Sequence, residues 1–419
     1  MGSVILSFVG NQDPFAKQNT EGSIVSLVRY LKSEHYSIDH VVLLHTQRTQ
    51  INAIDTQQWL LADGLSDLTA EQVVCWAVDE ALSEDPIDSL LAIRVARSAV
   101  DRVQEGRSAG DWLELNASSG TPAMKAAWGI LQAAGYIPNS RVWQVRNPQE
   151  MRVGQVRVFQ ANVNVLRQEF DRQVARRQVQ DYNYSGARVT LEAAGLLSPV
   201  LGALLSYGRC RLALDFDRAY SAIAPVGKEV SSRWVQEVSR LRQKDQRALL
   251  QEAYFNAEVR LRNQEYSQLL VEVFRFQEGV LRYGVGQLVG RVPMRFEETG
   301  EFWRGVERVE EGRLFRFLQG YRFRGNALTL EKFPNRPVMM AILEYDAAMF
   351  GPVLEVLKSL NEYCEQRNQL VHQFAGISEL ENAADCLQKM RQVLRAIGVS
   401  RVENAFDGLN GEVLGLLGG

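Results

Sequence analysis

Trp112-Leu113-Glu114-Leu115-Asn116-Ala117-Ser118-Ser119-Gly120-Thr121-Pro122-Ala123-Met124-Lys125 decides the fold of this chain. Trp112 to Leu115 reads as a short strand. Small polar residues make the turn after it. Thr121 suits the N-cap of a helix and Pro122 its first position, and the helix runs on to Ala134. A strand that hands over to a capped helix in so few residues is the repeating unit of an α/β sheet. The same alternation extends to either side. Ser3 to Val9, His40 to Leu44 and Gln72 to Val78 read as strands, with helices over Val25 to Lys32 and Pro86 to Gln104. Arg141 to Val145 and Gln155 to Phe159 close the set. Apolar strands alternating with helices predict a Rossmann-like, mostly parallel sheet covered on both faces. Ligands of such sheets sit outside the carboxyl ends of the strands.

That rule draws attention to three loops. The turn Asn116 to Thr121 leaves backbone N–H groups at a helix N-terminus, which suits an anion. Lys125 stands in the first helical turn, where the helix dipole ordinarily favours acids; a bound phosphate removes the conflict. The alternative is a well-capped turn with a solvated lysine. After the first strand, Val9-Gly10-Asn11-Gln12-Asp13-Pro14 is either a ligand edge or an ordinary Asx/Pro turn. His45-Thr46-Gln47 follows the second strand and borders the same crevice. No Gly-x-Gly-x-x-Gly and no Gly-Lys-Ser/Thr is present, which disfavours a nicotinamide enzyme and a P-loop.

From about Val163 the pattern changes to a 3.6-residue period. Gln168 to Gln180 is an Arg-rich helix, and helices are predicted over Leu191–Tyr207, Ser231–Leu241, Gln246–Glu258, Gln264–Tyr283, Val338–Asn361 and Ala383–Ala396. The domains are therefore expected at residues 1–165 and 186–419, joined by a helix over 166–185. Arg275 and Glu278 lie one turn apart, either as a surface ion pair or as a pair that orients other groups. Arg313, Phe315, Arg316, Phe317, Tyr321, Arg322, Phe323 and Arg324 interleave cations with rings, as in single-strand binding surfaces or in an ordinary amphipathic segment.

Composition narrows the class. The chain has 419 residues, enough for two or three domains, and its net charge of −3 argues against coating nucleic acid by bulk electrostatics. Cys75, Cys210, Cys364 and Cys386 form no Cys-x-x-Cys pair, so neither a zinc site nor a disulfide framework is expected. No apolar run is long enough to span a bilayer.

Of the four histidines, only His372 lies beyond residue 45. It belongs to Glu365-Gln366-Arg367-Asn368-Gln369-Leu370-Val371-His372-Gln373-Phe374. At helical spacing Asn368 and His372 share a face, and Arg367 reaches round from the next. An imidazole can take the proton of a ribose 2′-OH and protonate a leaving 5′-oxygen. A guanidinium can hold the phosphate between them. The plainer alternative is a surface arginine and a buried, hydrogen-bonded histidine.

Taken together, these residues resemble the CARF–HEPN ribonucleases of type III CRISPR systems. Asn116 to Met124 is similar to the ligand turn of CARF domains, and Val9 to Pro14 to their first-strand loop. Arg367-Asn368-x-x-x-His372 matches the HEPN signature, and the Phe274-Arg275-Phe276-Gln277-Glu278 helix is similar to the first long HEPN helix. The resemblance implies a cytoplasmic homodimer that binds a cyclic oligoadenylate across its two CARF domains. Its HEPN domains then cut single-stranded RNA without a metal, in a composite site. The implied catalytic residues are Arg367, Asn368 and His372. The implied ligand residues are Gly10, Asn11, Gln12, Asp13, Thr46, Asn116, Ser118, Ser119, Gly120, Thr121 and Lys125. The activator is the only small molecule implied; no cofactor or membrane is. The competing expectation is a non-catalytic nucleotide sensor whose helical domain serves dimerisation or regulation.

Overall fold

A computed structural model of the chain describes residues 2–16, 20–62, 68–105, 111–137, 139–361, 363, 377–399 and 403–418. It divides into two compact units, Met1–Asp171 and Arg172–Gly419. Arg367, Asn368 and His372, the expected nuclease residues, lie outside the described residues, as does Cys364.

The first unit is built on six strands: β1 (Ser3–Phe8), β2 (Ile38–His45), β3 (Val73–Ala77), β4 (Trp112–Asn116), β5 (Ser140–Val145) and β6 (Val158–Gln160). Their order across the sheet is β3-β2-β1-β4-β5-β6. All neighbours are parallel except the β5–β6 pair at the edge. The expected mostly parallel sheet is therefore present. Every residue of β1 is buried, as the central strand of a sheet covered on both faces requires. Chain order reverses between β1 and β4, which pair from Ser3↔Trp112 to Ser7↔Asn116. That reversal opens a crevice at the carboxyl ends of the two strands.

The covering helices are α1 (Ser23–Ser33), α2 (Gln50–Ala62), α3 (Glu80–Glu84), α4 (Ser89–Gln104) and α5 (Pro122–Ala133). One face of the sheet packs Leu6, Phe8 and Leu115 against Ala96, Met124 and Trp128. The other packs Ile5, Val41 and Leu43 against Ile24, Leu27 and Leu31. The helix expected from Pro86 starts at Ser89, because the Asp88 carboxylate accepts from the N–H groups of Leu90 and Leu91 at 2.7 and 3.0 Å and so caps it.

The second unit is helical. α6 (Asn164–Gln180) begins before the division and ends after it. Then come α7 (Tyr184–Ala193), α8 (Pro199–Leu212), α9 (Phe216–Ile223), α10 (Ser232–Arg242), α11 (Gln246–Arg262) and α12 (Tyr266–Val289). These are followed by α13 (Thr299–Arg308), α14 (Arg313–Gly320), α15 (Arg336–Tyr345), α16 (Ala347–Ser359), and further helices at Ala383–Ala396 and Ala405–Leu417. Its core holds a buried charge cluster. Arg211 donates to Glu252 at 2.5 and 2.9 Å, to Glu237 at 2.9 Å and to the Tyr207 hydroxyl at 2.6 Å. A guanidinium this enclosed needs carboxylate partners to offset its desolvation.

Two predicted helices are each split. Leu191–Tyr207 is interrupted after Ala193, where Gly195 turns left-handed and Ser198 starts α8 by accepting from Leu201 N–H at 3.2 Å. Val338–Asn361 is interrupted at Asp346, whose carboxylate accepts from Met349 N–H at 3.2 Å. In both cases a capping side chain offers the backbone N–H groups of a new helix a partner, although the apolar period runs on through the break. The expected Arg275–Glu278 pair is also replaced: Arg275 bonds Glu272 at 2.6 Å and Arg282 bonds Glu278 at 3.0 Å. In α14, Leu314 and Leu318 are buried while Arg313, Arg316 and Phe317 of the interleaved segment remain on the surface side.

Candidate ligand-binding site

The crevice between β1 and β4 is a polar cleft of about 730 Å³. The loop after β1 supplies Gly10, Asn11, Gln12 and Asp13, and the turn after β4 supplies Ser118, Ser119 and Gly120. Lys125 projects from the first turn of α5. Eight of the expected ligand residues thus share one wall. Thr121, Asn116 and Thr46 are not among the lining residues. Thr121 caps α5 and its hydroxyl donates to the Pro86 carbonyl at 2.6 Å. Asn116 is fully buried; its amide donates to Ser7 and Ser23 hydroxyls at 3.0 and 3.2 Å, and its oxygen accepts from Ser118 N–H at 3.0 Å. It ties the turn to the sheet. Thr46 turns inward onto Thr49, its N–H donating to the Thr49 hydroxyl at 3.1 Å.

The two loops are welded together beneath the cleft. Gly10 N–H lies 3.0 Å from the Asp13 carboxylate and 2.8 Å from Ser119 Oγ. The Ser119 hydroxyl donates to the same carboxylate. Ile24 N–H, in the first turn of α1, reaches the other oxygen of Asp13 at 3.4 Å. Small residues are needed here. A Cβ on Gly10 would stand 3.0 Å from Gly120 N, and one on Gly22 only 2.4 Å from the Gln12 carbonyl oxygen. Gly120 has φ +91, a conformation side chains resist. Asn11 and Gln12 then project into solvent-exposed space at the rim.

Asp13 is the floor of the site. Burial raises its carboxyl pKa above the ordinary 3.8, outweighing hydrogen bonds from Ser119, Gly10 and Ile24 and the charge of Lys125, which lower it. The folded state therefore holds this proton more firmly than the unfolded chain. The stability the group contributes is fullest below the ordinary carboxylate value and falls as pH rises through the raised one. The stability advantage of the parent over Asp13→Asn is accordingly expected to be largest below about pH 4 and to shrink toward neutrality. Thermal unfolding of both proteins across that range checks it. An advantage that grows with pH contradicts a raised value.

The opposite wall was not foreseen from the sequence. It comes from residues 145–157, after β5, and from residues 20–23, at the start of α1. Arg146, Asn147, Glu150, Arg152 and Arg157 face the cleft from the first of these. Val145 N–H donates to Ser118 Oγ at 2.7 Å, joining this segment to the β4 turn. Arg146 is braced by the Val156 carbonyl at 2.6 Å and lies over the Phe159 ring at 3.8 Å. Arg157 donates to the Glu21 carbonyl at 2.6 Å, and the Glu21 carboxylate is taken up by Arg29 at 2.7 Å. Among the described residues the lining carries four cations, Lys125, Arg146, Arg152 and Arg157, against three carboxylates. Asp13 is enclosed in the floor and Glu21 is shared by Arg29 and Arg157 at 2.7 and 3.8 Å, which leaves Lys125, Arg146 and Arg152 against Glu150 on the open face, a balance that favours anions. The signal that points to this wall is strand order: β5 neighbours β4, so its C-terminal loop shares the crevice.

Neither a protein-family profile nor a curated protein sequence matches the chain. Among solved structures, it is similar to Enterococcus italicus Csm6 bound to cyclic hexa-2'-fluoro-hexa-dAMP, over 99% of this chain and 100% of that one. The TM-score is 0.68 and the sequence identity 15%. The chain shares the fold of that Csm6 through both of its units.

Proposed function

We propose that the chain is a CRISPR-associated CARF–HEPN ribonuclease, switched on by a cyclic oligoadenylate in the cleft of its first unit. One observation carries this. The polar, cation-lined cleft lies at the β1–β4 switch point of a fold that, in the Csm6 structure, is bound to a cyclic hexa-adenylate analogue. Gly10 and Gly120 bring backbone close to the ligand. Lys125, Arg146 and Arg152 neutralise phosphates, and Asn11, Gln12 and Ser118 offer hydrogen bonds to ribose and base edges. A ring with internal two-fold symmetry fits best across two copies of this cleft, so the working form is a homodimer.

Cleavage falls to Arg367, Asn368 and His372 in the helical unit. His372 of one chain takes the proton of the ribose 2′-OH as the 2′-oxygen attacks the adjacent phosphorus. The 5′-oxygen leaves with a proton from the second histidine of the dimer, and a 2′,3′-cyclic phosphate remains. Arg367 bears the charge that builds on the phosphate. Calorimetric titration of the full chain with cyclic tetra- and hexa-adenylate tests the first half of this reading. One ring per two chains is expected, with binding weakened in Asn11→Ala and Ser118→Ala. No heat with either ring contradicts it. Tight binding without any RNA cleavage supports the sensor reading instead.

The two activities need a shared element whose equilibrium the ligand shifts. α6 is the candidate, because it runs unbroken across the division and its later turns are held inside the helical unit. There Arg176 reaches the Leu414 carbonyl at 3.3 Å and Gln178 the Thr190 hydroxyl at 3.0 Å. A Gly-Ser insertion after Gln178 is expected to keep ligand binding and basal cleavage while reducing stimulation by the ring. Full stimulation in that variant rules out α6.

A further inference from the structure

The helical unit contains a slot of about 290 Å³ that the proposed chemistry does not use. Phe274, Gln277, Glu278 and Leu281, spaced along one face of α12, form one side. The turn Phe333-Pro334-Asn335 and the start of α15, with Arg336 and Met339, form the other. The size is that of a small-molecule subsite, and apolar walls with a few fixed polar groups are the usual lining of one.

Two features give the slot a chemistry. The first is an uncompensated cation. Arg336 is half-buried and donates to the neutral amide oxygen of Asn361, and among the described residues it meets no carboxylate. Arg282, by contrast, is paired with Glu278 at 3.0 Å. A half-buried guanidinium on a neutral acceptor keeps donors for a planar anion such as a phosphodiester. The second is an aromatic ring outside the core. Phe333 is half-buried, yet among the described residues it is not one of those packed on the helical core that Phe274 joins. A ring with an open side offers a stacking surface to a base.

The slot is also tied to the chain that leads into the nuclease motif. Gln277 donates to the Leu357 carbonyl at 2.7 Å and to the Asn361 amide oxygen at 2.8 Å. Asn361 precedes Arg367 by six residues, so covalent geometry keeps their Cα atoms within about 22 Å.

We propose that this slot is a substrate subsite: it takes one nucleotide of the single-stranded RNA, with the base on Phe333 and the phosphate on Arg336. This rests on the ribonuclease reading above. The test uses the full chain with cyclic hexa-adenylate and two RNAs of the same sequence. One is unmodified; the other is 2′-O-methylated throughout, and so binds but lacks the hydroxyl that attacks. Phe333→Ala and Arg336→Ala are each expected to raise the Kd for the methylated RNA about tenfold. KM for the unmodified RNA rises in parallel, and kcat stays within about threefold. Arg336→Lys recovers part of the loss, because the charge remains while the fork is gone. Affinity for the cyclic ligand does not change. Unaltered RNA affinity in both alanine variants overturns the slot while leaving the nuclease reading intact. So does a fall in kcat at unchanged Kd, which makes these residues supports of the motif. A parent chain that neither binds nor cleaves RNA overturns both.

Discussion

RNA cleavage is expected to fall about 10²–10⁴-fold when His372 is replaced by alanine, the usual range for loss of a general acid–base group. In the proposed mechanism one histidine takes the 2′-OH proton and its two-fold mate protonates the leaving oxygen, so the substitution removes both groups from a homodimer. Arg367→Ala is expected to cost about as much, because a developing phosphorane loses its counter-charge. Asn368→Ala costs less, since an amide orients rather than transfers protons. The measurement is a single-turnover assay with saturating activator. It is paired with thermal unfolding and sedimentation, which should show folding and dimerisation unchanged. Cleavage by the parent should persist in EDTA and leave a 2′,3′-cyclic phosphate. A chemical step that stops when divalent metal is removed contradicts the mechanism.

The second large effect is expected at Lys125. Hydrogen bonds to charged groups are worth about 1.5–3 kcal/mol each, so Lys125→Ala should weaken activator binding about 10–100-fold. Lys125→Glu should exceed that, since it sets a carboxylate against the phosphates and beside the buried Asp13. Stimulation of cleavage should be lost with the ligand, while the weak basal rate, which belongs to the other unit, should stay. Titration of the variant alongside the parent, followed by the cleavage assay, reads both quantities. Parent-like binding by Lys125→Glu would move the ligand away from this cleft.

The strands were legible because each is a short, largely apolar run that ends in small or polar residues, as Ser3 to Gly10 and Trp112 to Gly120 do. Parallel pairing and burial on both faces leave little else such a pattern can form. The helix α2 was not legible: of its residues only Ala53, Thr56 and Leu60 are buried, too thin a stripe to stand out. The breaks at Gly195 and Asp346 were hidden because the apolar period continues across them. Only the capping bonds reveal that a new helix has begun.

The site divides in the same way. Gly10, Asp13, Ser119 and Lys125 could be read because each follows a strand whose end was already placed. Thr46 follows a strand too, but its hydroxyl lies against that of Thr49 at 3.2 Å rather than in the cleft, and the sequence does not show which way it turns. The wall of Arg146, Arg152 and Arg157 has neither period nor motif. Its arginines acquire meaning only once β5 is known to lie beside β4. For the nuclease the situation is reversed. Arg367, Asn368 and His372 rest on the sequence motif alone, and the described structure contributes the helical unit that carries them.

The most direct test of the account is one cleavage time course. The full chain is mixed with labelled single-stranded RNA, without activator and then with cyclic tetra- or hexa-adenylate, with Lys125→Glu and His372→Ala run beside it. The account predicts slow cleavage by the parent alone and strong acceleration by one of the two rings. It also predicts no acceleration in Lys125→Glu and a fall of about 10²-fold or more in His372→Ala. A parent that cuts RNA equally fast with and without either ring, or does not cut it at all, contradicts it.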